Sequence, residues 1–302
     1  MIRAPFLKLN DKAVIVSPSG KISPTFVNNT ISILQEWGLE VKTSENALRE
    51  AGCFSGFVKQ RLDDLQAAMD DPEVKLIFCS RGGYGAIHLL DRLNFNGIKN
   101  NPKWMIGFSD ITALQSAFLI NRIMSIHGPM AEHFSNEGPS DLSVLYTKAA
   151  ISGKPLNYTI PSEFPYLNRE GKATGTIFGG NLSVYAGILG SKFVKIPRNG
   201  ILFLEDIGEK PYRVDRMIHQ LKLAGFFDKI KGLIIGQFTD YEEDNEMYGT
   251  VYESILSAVK EFSFPVCFGF PVGHVKTNLP MIIGGNATLT VKKDVILLKQ
   301  RY

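Results

Sequence analysis

The sequence predicts an α/β protein of two domains, and three observations carry that prediction. In the N-terminal half, short apolar runs alternate with segments of helical periodicity, the pattern of βαβ units around a mainly parallel sheet covered on both faces. The chain has 302 residues, 44% of them hydrophobic, ample for two cores. Toward the C-terminus strands follow one another directly, so the second domain is expected to be mixed.

The elements follow in order. Residues 12–17, KAVIVS, are a buried strand, and Pro18-Ser19-Gly20 turns the chain. A helix with Phe26, Ile33 and Leu34 among its apolar positions ends near Gly38, and 39–42 alternates as a second strand. Residues 57–70 form a helix stopped by Asp71-Pro72, and 74–79 a strand. That strand opens into Ser80-Arg81-Gly82-Gly83-Tyr84-Gly85, with a helix expected from about Ala86. The apolar run Trp104–Gly107 leads to Ser109-Asp110, where Ile111, Leu114, Phe118 and Leu119 begin a helix at once. Ile123–Ile126 is a further strand before His127-Gly128-Pro129. Residues 135–172 are weakly patterned and rich in Pro and Gly, apart from a helix near 141–151. The expected division is therefore an N-terminal domain over 1–138, a linker region over 139–171 and a C-terminal domain over 172–302. Within the last, 174–182 suggests strand, tight turn and helix. Ile201–Leu204 is an apolar strand that delivers Glu205, and Pro211 opens a helix. Strands are expected at 233–235, 265–268, 281–283, 287–292 and 294–299, with a helix near 249–261.

Composition excludes several classes. Net charge is +3 with both signs interspersed, and no basic stripe interleaved with aromatics argues for nucleic acid. No run of about 18 apolar residues suggests a membrane span, and the N-terminal stretch lacks a signal-peptide core. Three cysteines, Cys53, Cys79 and Cys267, show no paired metal spacing. Free thiols in a reducing cytoplasm account for them, and no metal or cofactor is expected.

Several residues could carry chemistry. A serine on a strand-to-helix turn is lifted above the strand ends beside helix N–H groups, the arrangement acyl transfer needs. Ser109 or Asp110 could equally cap the helix. The glycines at 82, 83 and 85 do not make a phosphate cradle, since no Gly-Lys-Ser/Thr follows. They suit either an oxyanion site facing Ser109 or a plain tight turn. Glu205 ends an apolar strand, where a partly buried carboxylate needs a partner; a salt bridge or helix cap would serve equally. His274, in a loop of Pro271 and Gly273, is a candidate base, with His127 its rival. Cys79 could be a nucleophile, but it closes a buried strand, where cysteine is usually a small hydrophobe.

Taken together, SRGGYGA (80–86), GFSDITAL (107–114), HGPM (127–130), GTIFGGNLSV (175–184), LEDIGEKPYRVDRMIHQL (204–221) and the Gly273-His274 pair resemble the LD-carboxypeptidases. That family includes muramoyltetrapeptide carboxypeptidases and microcin immunity peptidases. The pieces occur in the family's order and span nearly the whole chain. The resemblance implies Ser109 as nucleophile, Glu205 as orienting acid and His274 as base, with an oxyanion hole from the N–H groups of Gly83 and Asp110. It implies a flavodoxin-like N-terminal domain related to class I amidotransferases and a C-terminal domain of the swivelling β/β/α kind. It further suggests a homodimer. The compact length resembles the tetrapeptide-cleaving members more than the immunity enzymes.

The expected function is a cytoplasmic serine carboxypeptidase that removes terminal D-alanine from murein tetrapeptides during cell-wall recycling. Arg81 and Arg213 are candidates to meet the substrate's terminal carboxylate. Alternatives are a microcin-type hydrolase of acyl-peptide or aminoacyl-nucleotide substrates with the same triad, and a non-enzymatic two-domain ligand-binding protein.

Overall fold

The computed structural model describes residues Met1–Tyr302 and divides them into two compact units. The first comprises Met1–Pro155 with Leu279–Gly284, the second Leu156–Asn278 with Gly285–Tyr302. No helix is long and apolar enough to cross a membrane.

In the first unit, β1 (Lys12–Val16) leads to α1 (Pro24–Glu36), then β2 (Glu40–Thr43), α2 (Val58–Asp70) and β3 (Val74–Cys79). Ser23 caps α1, with Pro24 as its first residue, and Gly38 at φ +87° ends it, as the sequence suggests. After the Gly-rich loop the chain makes only a 3-10 turn, Ala86–Leu89, then the short α3 (Asn96–Asn100). The helix expected from Ala86 is thus cut to one turn. Asn94 lies just beyond it and its Oδ1 accepts the Asn96 N–H at 2.9 Å, a local turn that competes with a continuing helix. Next come β4 (Trp104–Gly107), α4 (Thr112–Ile120), β5 (Ser125–His127), α5 (Ala131–Glu137) and α6 (Leu142–Ile151).

The second unit holds β6 (Leu156–Pro161), β7 (Gly171–Asn181), α7 (Leu182–Gly187), β8 (Gly200–Ile207), α8 (Pro211–Leu223), β9 (Ile230–Thr239), α9 (Val251–Ala258) and β10 (Val266–Cys267). The chain then gives β11 (Met281–Ile283) to the first unit and ends in β12 (Asn286–Val291) and β13 (Val295–Arg301) of the second.

The first sheet runs β11-β5-β4-β3-β1-β2. Its strands β1 to β5 are parallel in the order 2-1-3-4-5, the flavodoxin-like arrangement. Its core is built from residues with no exposed surface, such as Ile15, Leu76, Phe78, Trp104, Ile106 and Phe118. The second sheet, β10-β9-β8-β7-β12-β13-β6, is parallel from β7 to β10 and antiparallel from β7 through β12 and β13 to β6.

Two details go beyond the sequence expectations. Besides the helix expected near 141–151, which is α6, the 139–171 stretch holds a strand, β6, and the two units divide within it at Pro155/Leu156. β6 is an edge strand, which tolerates Pro161 at its end and so hides from a pattern search. The 281–283 strand, expected with the C-terminal domain, pairs antiparallel with β5 instead, so the first sheet is parallel except at that edge.

Candidate active site

In the first unit the chain leaves β4 at Gly107, passes through an extended Phe108 and enters Ser109 at φ +60°. A left-handed conformation costs a non-glycine residue about 1–2 kcal/mol, so packing must impose it. The packing is visible at Gly107: a Cβ there would lie 2.9 Å from Ile111 Cγ2 and 3.1 Å from Cys79 Cβ. The start of α4 is therefore drawn tightly onto the strand ends. Gln115 adds to this, its Nε2 donating to the carbonyls of Gly107 (2.8 Å) and Ile126 (2.9 Å).

Neither Ser109 nor Asp110 caps α4. The residue before that helix is Ile111, with no side-chain capping bond. Asp110 is buried and turns instead to the Ser19 hydroxyl and to the Ala86 N–H at 2.8 Å. Burial holds its carboxyl above the usual carboxylate range, against the pull of the Ser19 and Ala86 bonds and the charge of Arg61.

The Gly-rich loop after β3 packs against this turn. A Cβ on Gly82 would sit 2.8 Å from Ser109 Cβ and 3.0 Å from its Oγ, so only glycine allows the approach. Gly20 N donates to Gly82 O at 2.9 Å, and the Ser17 and Ser80 hydroxyls meet at 2.6 Å, joining the ends of β1 and β3. In a sheet of this strand order, the ends of β1 and β3 flank the topological switch point, where ligands bind. Arg61, 2% exposed, reaches from α2 to donate to Pro18 O and Gly85 O, each at 2.8 Å. Arg81 is exposed and donates to Lys21 O at 2.6 Å. Cys79 has no exposed surface, and burial pushes its thiol far above the usual range. A reactive cysteine needs the opposite shift. His127 is buried in β5 with its ring edge-on to Phe108, centroids 5.7 Å apart.

In the second unit Glu205 lies near the end of β8 with no exposed surface. Opposite it β9 carries an extra residue, since Leu204 pairs with Ile235 but Asp206 with Phe238. Such bulges re-aim side chains. His274 Nδ1–H donates to Glu205 Oε2 at 2.8 Å, and the His274 side chain keeps 17% of its surface exposed. The loop before it closes over the carboxylate. A Cβ on Gly273, at φ +121°, would lie 2.7 Å from Glu205 Oε2, and Gly273 N donates to Asn278 Oδ1 at 3.0 Å. Burial pulls the His274 imidazole down. The hydrogen bond and charge of Glu205 outweigh it, with help from Asp206 and Asp240, and the net shift is above 6.5.

Asp206 points elsewhere, accepting Asn181 Nδ2–H, Ser183 N–H and Ile207 N–H at 2.8–2.9 Å. Burial, and secondarily the Glu205 charge, raise its carboxyl to about 6. Arg213 is in the first turn of α8, exposed, 3.7 Å from Glu209 and 3.3 Å from Tyr212 Oη. No group of three or more His, Cys, Asp or Glu side chains is placed to hold a metal ion.

Of the expected residues, Ser109, Gly83, Asp110 and Arg81 therefore lie on the loops after β3 and β4 of the first unit. Glu205, His274 and Arg213 belong to the second, where the first two meet. Sequence reasoning missed the Asp110 carboxylate, Ser19, Arg61, Asp206 and Asn181. Ser19 carried one signal, its place in the turn directly after β1.

The chain is similar to several known proteins over nearly its whole length. A "Probable murein peptide carboxypeptidase" of Bacillus subtilis is 31% identical over 96% of this chain and 92% of its own length. The crystal structure of a muramoyltetrapeptide carboxypeptidase from Oxalobacter formigenes superposes with a TM-score of 0.87 at 29% identity, covering 96% of this chain and 99% of that one. An MccF-like protein from Bacillus anthracis gives 0.88 at 26% identity over the whole of both chains. The family models for the LD-carboxypeptidase N-terminal and C-terminal domains match residues 14–128 and 174–289 respectively, and the chain belongs to the LD-carboxypeptidase family.

Proposed function

We propose that this protein is a serine carboxypeptidase that hydrolyses the L,D amide bond of murein tetrapeptides, releasing the terminal D-alanine, and that it serves peptide recycling in the cytoplasm. The observation that carries the reading is the 2.8 Å bond between His274 and the buried Glu205, in a chain whose Ser109 occupies a left-handed strand-to-helix turn. The names of the relatives supply the substrate class: murein peptide in one, muramoyltetrapeptide in another.

In this reading Ser109 Oγ attacks the carbonyl carbon that joins the L-centre, at lysine or diaminopimelate, to D-alanine. His274 Nε2 takes the serine proton as the Oγ–C bond forms, and the charge on the carbonyl oxygen meets the N–H groups of Gly83 and Asp110. The proton then passes to the leaving amine of D-alanine, and water hydrolyses the acyl-enzyme with His274 again as base. Glu205 holds the Nδ1–H tautomer that leaves Nε2 free. Arg81 or Arg213 meets the terminal carboxylate of the substrate. Burial of Cys79 supports serine rather than cysteine as the nucleophile.

The test is turnover of a tetrapeptide ending in D-alanine, beside the same peptide ending in L-alanine and an aminoacyl-sulfamate ester. Expected is a strong preference for the D-terminal peptide and labelling of Ser109 by a fluorophosphonate. Equal kcat/KM for the D and L forms refutes the L,D assignment, and faster cleavage of the sulfamate places the chain with the microcin-type hydrolases. Absence of labelling and turnover with every substrate leaves a ligand-binding protein.

A further inference from the structure

One buried carboxylate joins three strand-end loops of the first unit. Asp110 directly follows Ser109 and is 3% exposed. A single oxygen, Oδ2, accepts both the Ser19 hydroxyl, from the turn after β1, and the Ala86 N–H, at the close of the Gly-rich loop. Arg61 spans the same two loops from behind, with donors on Pro18 O and Gly85 O. Helix capping does not account for Asp110, since α4 starts at Thr112 after an uncapped Ile111. Nor does solvation, because a carboxylate buried here costs free energy that these bonds and the Arg61 charge offset only in part.

The geometry of the loop gives this brace a consequence. A Cβ on Gly82 would stand 2.8 Å from Ser109 Cβ and 3.2 Å from Asp110 N, so the loop lies close against this turn, and Gly83 stands three residues before Ala86. Oxyanion donors act within a narrow range of about 2.7–3.1 Å, so a shift of a few tenths of an ångström in this loop matters. We propose that the Asp110 carboxylate is a positioning residue: through Ala86 and Ser19 it fixes the Gly82–Gly85 loop against Ser109, so that the loop's N–H groups stand where the oxyanion forms. The proposal rests on the serine-hydrolase reading above.

The experiment compares wild type, Asp110→Ala, Asp110→Asn and Ser19→Ala. It measures kcat and KM on the tetrapeptide and the rate of Ser109 phosphonylation by a fluorophosphonate, with circular dichroism and Tm reporting the fold. Asp110→Ala removes Oδ2 and is expected to lose about 10²-fold in kcat, the scale of one oxyanion donor, with KM within twofold. Phosphonylation should slow in parallel. Both bonds end on one oxygen, which an asparagine Oδ1 can replace, so Asp110→Asn should recover to within about tenfold of wild type. Ser19→Ala removes one of the two bonds and is expected to lower kcat several-fold at constant KM. It carries the test if Asp110→Ala does not fold. A merely structural role would lower Tm and leave the turnover of folded protein unchanged, and that result overturns the proposal. So does a loss in Asp110→Ala that asparagine fails to restore, or an unchanged kcat in Ser19→Ala. A wild type that reacts with the probe while these variants match it refutes the brace alone, whereas a wild type unlabelled at Ser109 removes the serine reading and the brace with it.

Discussion

Replacing Glu205 by glutamine preserves shape and removes charge, at a position where the geometry sets the cost of that exchange. The carboxylate has no exposed surface, Oε2 accepts His274 Nδ1–H at 2.8 Å, and Oε1 is buried with no hydrogen-bond partner. A glutamine has two orientations here. With its oxygen toward His274, the NH₂ occupies the unpartnered position of Oε1, and an unsatisfied buried donor costs about 1–3 kcal/mol. With its NH₂ toward His274, Nδ1 must accept, and the imidazole proton moves to Nε2, the nitrogen that has to take the serine proton. The equivalent change in a Ser-His-Asp protease costs about 10⁴ in kcat, which is about 5.4 kcal/mol of transition-state stabilisation. A loss of that order is expected for Glu205→Gln at saturating tetrapeptide, with the fold retained by circular dichroism. His127→Gln, altered in the other unit, should keep far more of the rate. The pH profile gives a second readout. His274 must be neutral to act as base, so wild-type activity rises with pH through a pKa held above 6.5 by Glu205. Without that charge the largest upward pull on the imidazole is gone, and the acid limb of the residual activity should move to lower pH. An unmoved limb, a rate above about a tenth of wild type, or a dead His127→Gln beside an active Glu205→Gln would each refute the Glu205–His274 pair.

Other outcomes are expected from the same geometry. Ser109→Ala and Ser109→Gly should both be inactive and folded, but at φ +60° the glycine variant should be the more stable by about 1 kcal/mol in denaturant titration. Cys79→Ser should stay active while losing about 1–3 kcal/mol of stability, because its hydroxyl enters a fully buried apolar site. An inactive, well-folded Cys79→Ser would reverse the choice of nucleophile. Gly273→Ala should be destabilised by at least about 1–3 kcal/mol and lose activity, since φ is +121° and the new Cβ would press on Glu205 Oε2 at 2.7 Å. A fully active Gly273→Ala would show that the carboxylate need not be held where it is. The raised His274 pKa also makes the imidazolium a contributor to folding. That contribution is complete below about pH 6.5 and is lost as pH rises through the folded-state pKa, so the fall in stability over this window should flatten in Glu205→Gln.

What the sequence reveals and what it hides divide along one physical line. Periodicity reports where apolar side chains recur, so the strands of the first sheet, α1, α2, α8 and the Ser109 turn are legible. It is blind to long-range pairing: nothing in Met281–Ile283 says that it joins β5 rather than its neighbours β12 and β13. It also treats a polar residue as an exposed one, which hides the groups that hold the site. Along α2 the buried positions are Arg61, Asp64, Leu65, Ala68 and Met69, a single stripe at helical spacing whose first two members are charged. Asp64 holds the Ser44 hydroxyl and the Asn46 amides, and Arg61 the carbonyls of Pro18 and Gly85. Along β8 the buried run Ile201–Leu204 continues into Glu205 and Asp206 without reaching solvent. Successive residues of a strand face opposite sides, so one acid meets His274 while the other ties Asn181 and Ser183 to the strand end. A charge in an apolar stripe violates the pattern that specifies the fold, and three of these four, Arg61, Glu205 and Asp206, bond to segments around the candidate site, whereas Asp64 ties down the turn after β2. The buried charges that periodicity leaves unexplained are therefore a guide to the supporting structure of the candidate site, because each must be held by specific partners that offset part of its desolvation.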